Sequence, residues 1–265
     1  MLKLETIELE VLEPEGYAII FLNRPQQLNA LNTQLSMDFC EAMDNVSKNE
    51  KIRCLIITGR GKAFSAGGDL VEFTKAKDPK SHLYNLAKMF HEGIKTLKKT
   101  DAPSIAAVNG ACFGVGLSLA CACDLRICHE SAKFAVAFTS VGLSPDSSMT
   151  FHLPKIVGIS IANEMAILNR VLTAEEAKNC NLVSKIINKE ENFLEEVKKT
   201  ALKISHGPTL AFGTTKRLFM ESYSNTLNAQ LEKELNSISK LAGTEDFQKG
   251  AGAFLEKKRP EYKGK

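Results

Sequence analysis

The stretch Phe64-Ser65-Ala66-Gly67-Gly68-Asp69-Leu70 decides how the rest of this chain is read. An apolar segment stops at a glycine pair. That order describes a strand giving way to a helix through a turn with bare backbone N–H groups. A second glycine-rich turn runs from Asn109 to Gly116. Glycines at 67, 68, 114 and 116 permit positive φ or a close approach that a side chain would block, and amides freed at a helix start are donors for an anion. If the N–H groups of Gly68 and Val115 converge, they form an oxyanion hole for one carbonyl oxygen. The same glycines would also suit two tight turns demanded by packing alone. Neither turn fits a nucleotide pattern. Gly61-Lys62 is followed by Ala63 and Phe64 where a P-loop needs Ser or Thr, and Leu119 stands where the third glycine of GxGxxG would fall.

Outward from these turns, short apolar runs alternate with helical stripes. Thr6 to Val11 and Tyr17 to Leu22 are expected strands joined at Pro14-Glu15-Gly16. Leu31, Leu35, Phe39, Met43 and Val46 keep a helical stripe, and Cys54 to Thr58 is the next strand. Asp78-Pro79 marks a flexible excursion before an amphipathic helix from Leu83 to Leu97. Ser104 to Val108 is a short strand, Leu117 to Ala122 begins a helix, and Leu125 to Cys128 returns as strand. This alternation favours an α/β fold of stacked β-β-α units. After Asp146 the pattern turns helical. Thr173-Ala174-Glu175-Glu176 has the spacing of a capping box, Glu191 to Ile204 is a helix, and further helices cover Thr215 to Ile238 and Glu245 to Leu255.

A chain of 265 residues, 44% hydrophobic and 25% charged, suits a globular protein with a sizeable core. Its formal charge of +3 argues for no particular partner. Lysines cluster at 95/98/99, 198/199 and 257/258, where solvated helix faces are expected. With no RNP-type aromatic motif, zinc-finger spacing or continuous basic tail, nucleic-acid binding is not expected. Seven cysteines lack paired spacing with supporting histidines, so no metal is expected; Cys112, Cys121, Cys123 and Cys128 read as small buried hydrophobes in a reducing compartment. The amino terminus lacks the apolar run of a signal peptide, which points to the cytoplasm. Ile105 to Cys123 is uncharged and long enough to span a membrane. Its glycines, Asn109 and Ser118 favour a buried strand, turn and helix, with no membrane insertion.

A set of ordered motifs carries a resemblance. It comprises Asn23-Arg24-Pro25 with Leu28-Asn29-Ala30-Leu31; Ile56-Ile57-Thr58-Gly59 leading to Phe64–Leu70; and Ala107-Val108-Asn109-Gly110 with Gly114-Val115-Gly116. Cys123-Asp124-Leu125 and Leu172-Thr173-Ala174-Glu175-Glu176-Ala177 complete it. Together they cover most of residues 6 to 190, and the chain resembles the crotonase, or enoyl-CoA hydratase/isomerase, superfamily. The resemblance implies a crotonase-like spiral of β-β-α repeats over residues 1–200 and a helical carboxy-terminal oligomerisation region over 201–265. It also implies a homotrimer or dimer of trimers, and an acyl-CoA substrate in which coenzyme A is part of the substrate, with no separate cofactor. It assigns the oxyanion donors to the amides of Gly68 and Val115.

Hydratases of this superfamily use two glutamates, and the matching positions here are Ser118 and Phe138. A different acid remains, Asp146 in Val141-Gly142-Leu143-Ser144-Pro145-Asp146-Ser147. This segment resembles the one in which ring-epoxide and enoyl isomerases carry their proton-transfer acid, and in which 4-chlorobenzoyl-CoA dehalogenases carry a nucleophilic aspartate. By itself, Asp146 in Ser-Pro-Asp-Ser reads first as an Asx turn or helix cap. With the resemblance, it is the expected catalytic acid of a 3-enoyl-CoA to 2-enoyl-CoA isomerase. Enoyl-CoA hydration, aromatic dehalogenation or ring isomerisation, and inactive acyl-CoA binding are the alternatives. Ala66 and Leu70 are expected along the CoA-binding turn. His91, Ser118 and Phe138 are expected near the acyl group, and Arg24 and Lys257 near the CoA phosphates. Phe64, Phe73, Phe113 and Phe151 are further candidates for an acyl tunnel.

Overall fold

A computed structural model describes residues 2–265. A seven-stranded sheet runs in the order Leu2–Lys3, Ile7–Leu12, Tyr17–Leu22, Cys54–Gly59, Ser104–Val108, Leu125–His129, Lys185–Ile187, with the first two pairings antiparallel and the rest parallel. A four-stranded sheet has the order Leu172–Thr173, Lys133–Ala135, Ala111–Phe113, Ala63–Ser65. Each long strand from Cys54 onward passes within a few residues into a short strand of the second sheet. Cys54–Gly59 leads to Ala63–Ser65, Ser104–Val108 to Ala111–Phe113, and Leu125–His129 to Lys133–Ala135. A helix then returns the chain to start the next pair, which is the expected β-β-α repeat.

The parallel strands are buried on both faces, so their residues alternate between two cores. Ala18, Ile20 and Leu22 enter the larger cluster, whereas Tyr17, Ile19 and Phe21 enter the smaller one under the Phe193–Ser205 helix. Successive repeats are stapled by asparagines. The Asn109 side chain accepts from Gly59 N–H and donates to the carbonyls of Gly59 and Gly61; Asn29 Nδ2 donates to Arg60 O and Ala63 O.

The expected stripe forms the Thr33–Lys48 helix, capped by Asn32, and buries Leu35, Phe39, Met43 and Val46. The capping box at Thr173 is complete, with Thr173 Oγ1 and Glu176 each serving the other's backbone amide. The uncharged Ile105 to Cys123 stretch divides into two strands and the Val115–Ala122 helix, and no helix among the described residues is long and apolar enough to cross a membrane.

Three local expectations are corrected. Asp78-Pro79 is no flexible excursion. Asp78 accepts from the amides of Lys80 and Ser81, and Pro79 opens a helix that runs to Lys99, the first-turn position where a missing N–H costs nothing. The stretch from Thr215 to Ile238 divides into helices Thr209–Ser222 and Leu227–Ala242. Lys98 is not a solvated face residue: its ammonium lies 3.2 Å from Asp124, which also holds Lys216 at 2.9 Å. The cysteines at 112, 121, 123 and 128 are buried, and burial pushes the thiols of Cys121, Cys123 and Cys128 up to about 12.

Candidate active site

The first turn is built so that one amide is left over. Leu31 N–H donates to Gly67 O at 2.7 Å, and Asp69 N–H donates to Leu31 O at 2.8 Å. This single parallel bridge uses the groups on either side of Gly68 and leaves the Gly68 N–H pointing the other way. Gly67 has φ +110°, a conformation in which L side chains are strained. Asp69 then caps the Leu70–Lys75 helix by accepting from Glu72 N–H, while its other oxygen takes a 2.9 Å bond from Arg24 Nη2.

In the second turn Gly114, at φ +52°, precedes the helix that starts at Val115, two residues before the sequence expectation. Gly114 N–H is taken by Ala135 O at 3.0 Å. Val115 is a first-turn amide without an intrahelical acceptor. Among the described residues neither Gly68 N–H nor Val115 N–H has a partner. The two turns touch: a Cβ on Gly114 would lie 3.3 Å from Gly67 Cα, and one on Gly116 would meet Ser65 Cβ at 2.7 Å and Ser65 O at 2.8 Å. Glycine at these positions lets the helix start seat directly on the first turn, and both spare amides border one cavity of about 410 Å³.

Asp146 lies on the wall of the same cavity and is the one charged side chain among the described residues that line it. Its Oδ1 is 2.7 Å from His91 Nε2 and accepts from Ser147 N–H. Ser118, fully buried one turn along the Val115–Ala122 helix, donates to Asp146 O at 2.8 Å. The helix that presents the Val115 amide therefore also anchors the acid. Beyond Asp146, Ser147 and Ser148 both adopt left-handed backbone (φ 54° and 68°), and neither hydroxyl has a partner among the described residues. Each such residue costs roughly 1 kcal/mol, and the reversal they make turns the chain into the Met149–Val157 helix.

Ala66, Leu70 and Phe138 line the cavity beside Gly68, Val115 and Asp146. Ser118 reaches it only through the Asp146 carbonyl. His91 stands behind the carboxylate and opens onto a neighbouring recess with Tyr84, Lys88 and Lys95. Of the other phenylalanines only Phe73 lines the cavity, its ring lying where a Cβ on Gly68 would come within 2.5 Å. Phe64 is core, Phe113 is outside the lining, and Phe151 stacks on Lys155 and Tyr223, so these three are not tunnel residues. Arg24 is occupied by Asp69 and by Ala30 O at 2.5 Å, and Lys257 is exposed after the last helix. The sequence reading missed Leu83, Tyr84, Leu86 and Ala87 as lining residues. The signal was present: with His91 they follow helical spacing on the Pro79–Lys99 helix, but periodicity does not say which cavity a stripe faces.

The enoyl-CoA hydratase/isomerase family model matches residues 13–265. This chain belongs to that family. Among crotonase relatives, the 1,2-epoxyphenylacetyl-CoA isomerase of Escherichia coli (strain K12) is 33% identical over 95% of this chain and 96% of its own length. The 4-chlorobenzoyl coenzyme A dehalogenase-2 of an Arthrobacter species is 33% identical over 94% of this chain and 91% of that protein. The crystal structure of a putative enoyl-CoA hydratase/isomerase from Mycobacterium abscessus superposes with a TM-score of 0.91 at 30% identity, covering 98% of this chain and all of that one. The spiral fold with its carboxy-terminal helices is thus the crotonase fold.

Proposed function

We infer that this crotonase is an enoyl-CoA isomerase that moves a double bond from the 3- to the 2-position of an acyl-CoA. The observation that carries the reading is a single carboxylate, Asp146, on the wall of an apolar cavity that two unpaired amides also border. Bound to the Gly68 and Val115 amides, the thioester oxygen accepts negative charge as the α-proton leaves. Asp146 takes that proton from C2, the electrons spread over a dienolate, and the same carboxyl returns the proton at C4. The conjugated 2-enoyl-CoA results with no net gain or loss of atoms. Each donor is worth about 3 kcal/mol in the transition state.

His91 holds one carboxylate oxygen, and Ser118 holds the acid's backbone, so the shuttle swings over a short arc. Hydration asks for a water to be activated and a proton delivered in one pocket. By the resemblance, Ser118 and Phe138 take the positions at which hydratases carry their two glutamates, which argues against hydration. The lining of Leu31, Phe73, Leu83, Leu86 and Phe138 favours an uncharged aliphatic or aryl acyl group. A second reading rests on the 2.7 Å His91–Asp146 contact. In an aromatic dehalogenase Asp146 would attack the halogen-bearing carbon, and His91 would activate water to hydrolyse the aryl ester. The exposed stripe Leu227, Leu231, Leu235 and Ile238 on one helix suits a subunit contact of the expected trimer.

The test is a product assay with 3-enoyl-, 2-enoyl- and 4-halobenzoyl-CoA offered separately, read by chromatography and mass, with Asp146→Ala as control. Interconversion of enoyl isomers, abolished in the control, is the expected result. Water addition alone makes this a hydratase, and halide release a dehalogenase. Turnover of none of the three overturns all these readings.

A further inference from the structure

A second cavity, of about 450 Å³, lies away from Asp146 and shares no residue with the first. This open cavity is lined by the end of the Pro79–Lys99 helix, the start of the Leu125–His129 strand, and the Met149–Val157 and Thr209–Ser222 helices. Four cations line it: Lys98, Arg126, Lys155 and Lys216. One carboxylate, Asp124, faces them, and its oxygens are already taken by both Lys98 and Lys216 and by the amide and hydroxyl of Ser104. Arg126 is bonded only to carbonyls, those of Leu182 and Cys123. The Lys155 ammonium lies 3.1 Å from the centroid of the Phe151 ring and 4.0 Å from that of Tyr223. Carbonyls and rings satisfy geometry but leave the positive charge uncancelled.

His152 brings no compensating charge to these cations. It lines this cavity, is 8% exposed, and its ring has no hydrogen-bond partner among the described residues. Burial first, and then Lys98, Lys155 and Arg126, push its pKa down to about 4, so the imidazole stays neutral among cations. The excess of positive charge over the single carboxylate Asp124 is offset by one kind of ligand, an anion. The remaining walls, Pro103, Leu125, Ile156, Ile204 and Phe212, are apolar and offer an organic body a dry surface.

We propose that this second cavity binds a small amphipathic organic anion, a carboxylate or phosphate monoester on an apolar body, with its charged head among Lys98, Arg126, Lys155 and His152. The site is separate from the Asp146 cavity and borders the Met149–Val157 helix that follows Asp146 in the chain.

Calorimetric titration of the full chain with octanoate, octyl phosphate, octanol and inorganic phosphate tests this. The anionic amphiphiles are expected to bind saturably, at least about tenfold tighter than octanol or phosphate. If only octyl phosphate or only octanoate does so, that outcome fixes the headgroup. Lys155→Gln, which removes a cation outside the Asp124 pairs, is expected to weaken binding about tenfold. Thr215→Trp fills the cavity from an exposed position on its rim and is expected to abolish binding. Neither change touches the Asp146 cavity. Octanoate binding that survives both variants, octanol binding as tightly as octanoate, or no saturable binding of either anion overturns the proposal.

Discussion

Val115→Pro removes one hydrogen-bond donor and little else. Val115 is the first residue of its helix, the position where proline fits because its N–H has no intrahelical acceptor. Gly114 before it sits at φ 52°, ψ −126°, the mirror image of an extended conformation and outside the helical region that a following proline disfavours. Val115 is 6% exposed, and proline fills much of its volume. The thioester oxygen would then be held by Gly68 alone. At about 3 kcal/mol per donor, kcat for isomerisation falls roughly a hundredfold. KM stays within a few fold, because the ground-state carbonyl needs the donor less than the enolate does. Steady-state formation of the conjugated 2-enoyl thioester gives the rates, and thermal melting shows whether the fold survives. Val115→Ala keeps the N–H and loses only packing, so it costs about 2 kcal/mol of stability with kcat nearly unchanged. A folded Val115→Pro enzyme with kcat within threefold of the parent refutes the oxyanion assignment.

Gly116→Ala drives a Cβ to 2.7 Å from Ser65 Cβ and 2.8 Å from its carbonyl, so the helix start must lift off the first turn; about 1–3 kcal/mol of stability and most of kcat should go together, measured by melting and initial rates. Ser118→Ala frees the Asp146 carbonyl without touching the carboxylate, and kcat is expected to drop about fivefold with KM held, the signature of a positioning residue. His152, held near a pKa of about 4 by burial and by Lys98, Lys155 and Arg126, is neutral when folded and takes a proton near pH 6.5 when unfolded. Its contribution is therefore full above about pH 6.5 and is lost as the pH falls toward 4, an order of 3 kcal/mol. Denaturant titrations at pH 7 and 4.5 should show that His152→Asn flattens this loss.

The sequence by itself determined whatever depends on near neighbours. The glycine pair at 67 and 68, the turn ending at Gly116, the Thr173 cap, the strand Tyr17 to Leu22 and the stripe from Leu35 to Val46 are local demands of φ, capping and side-chain periodicity. They are enough to give the alternation of strands and helices and both glycine turns; the spiral and the donor assignment came only with the likeness to relatives. Local rules also gave Asp146 as an acid at a turn, but its role there came only from likeness to relatives. Asp78-Pro79 was misread because the same dipeptide opens a helix as well as it breaks one, and the choice rests on whether the following stripe finds a core. Tertiary structure alone decided which groups meet. Gly114 rests on Gly67, 47 positions apart, because the strands Ala63–Ser65 and Ala111–Phe113 pair in parallel, with a register shift between Ala63 and Ser65. His91 finds Asp146 across 55 positions, and Asp124 finds Lys216 across 92. Such pairings depend on sheet order and helix rotation, which no short window contains. For the same reason the four cations of the second cavity, scattered from 98 to 216, become one cluster only after folding.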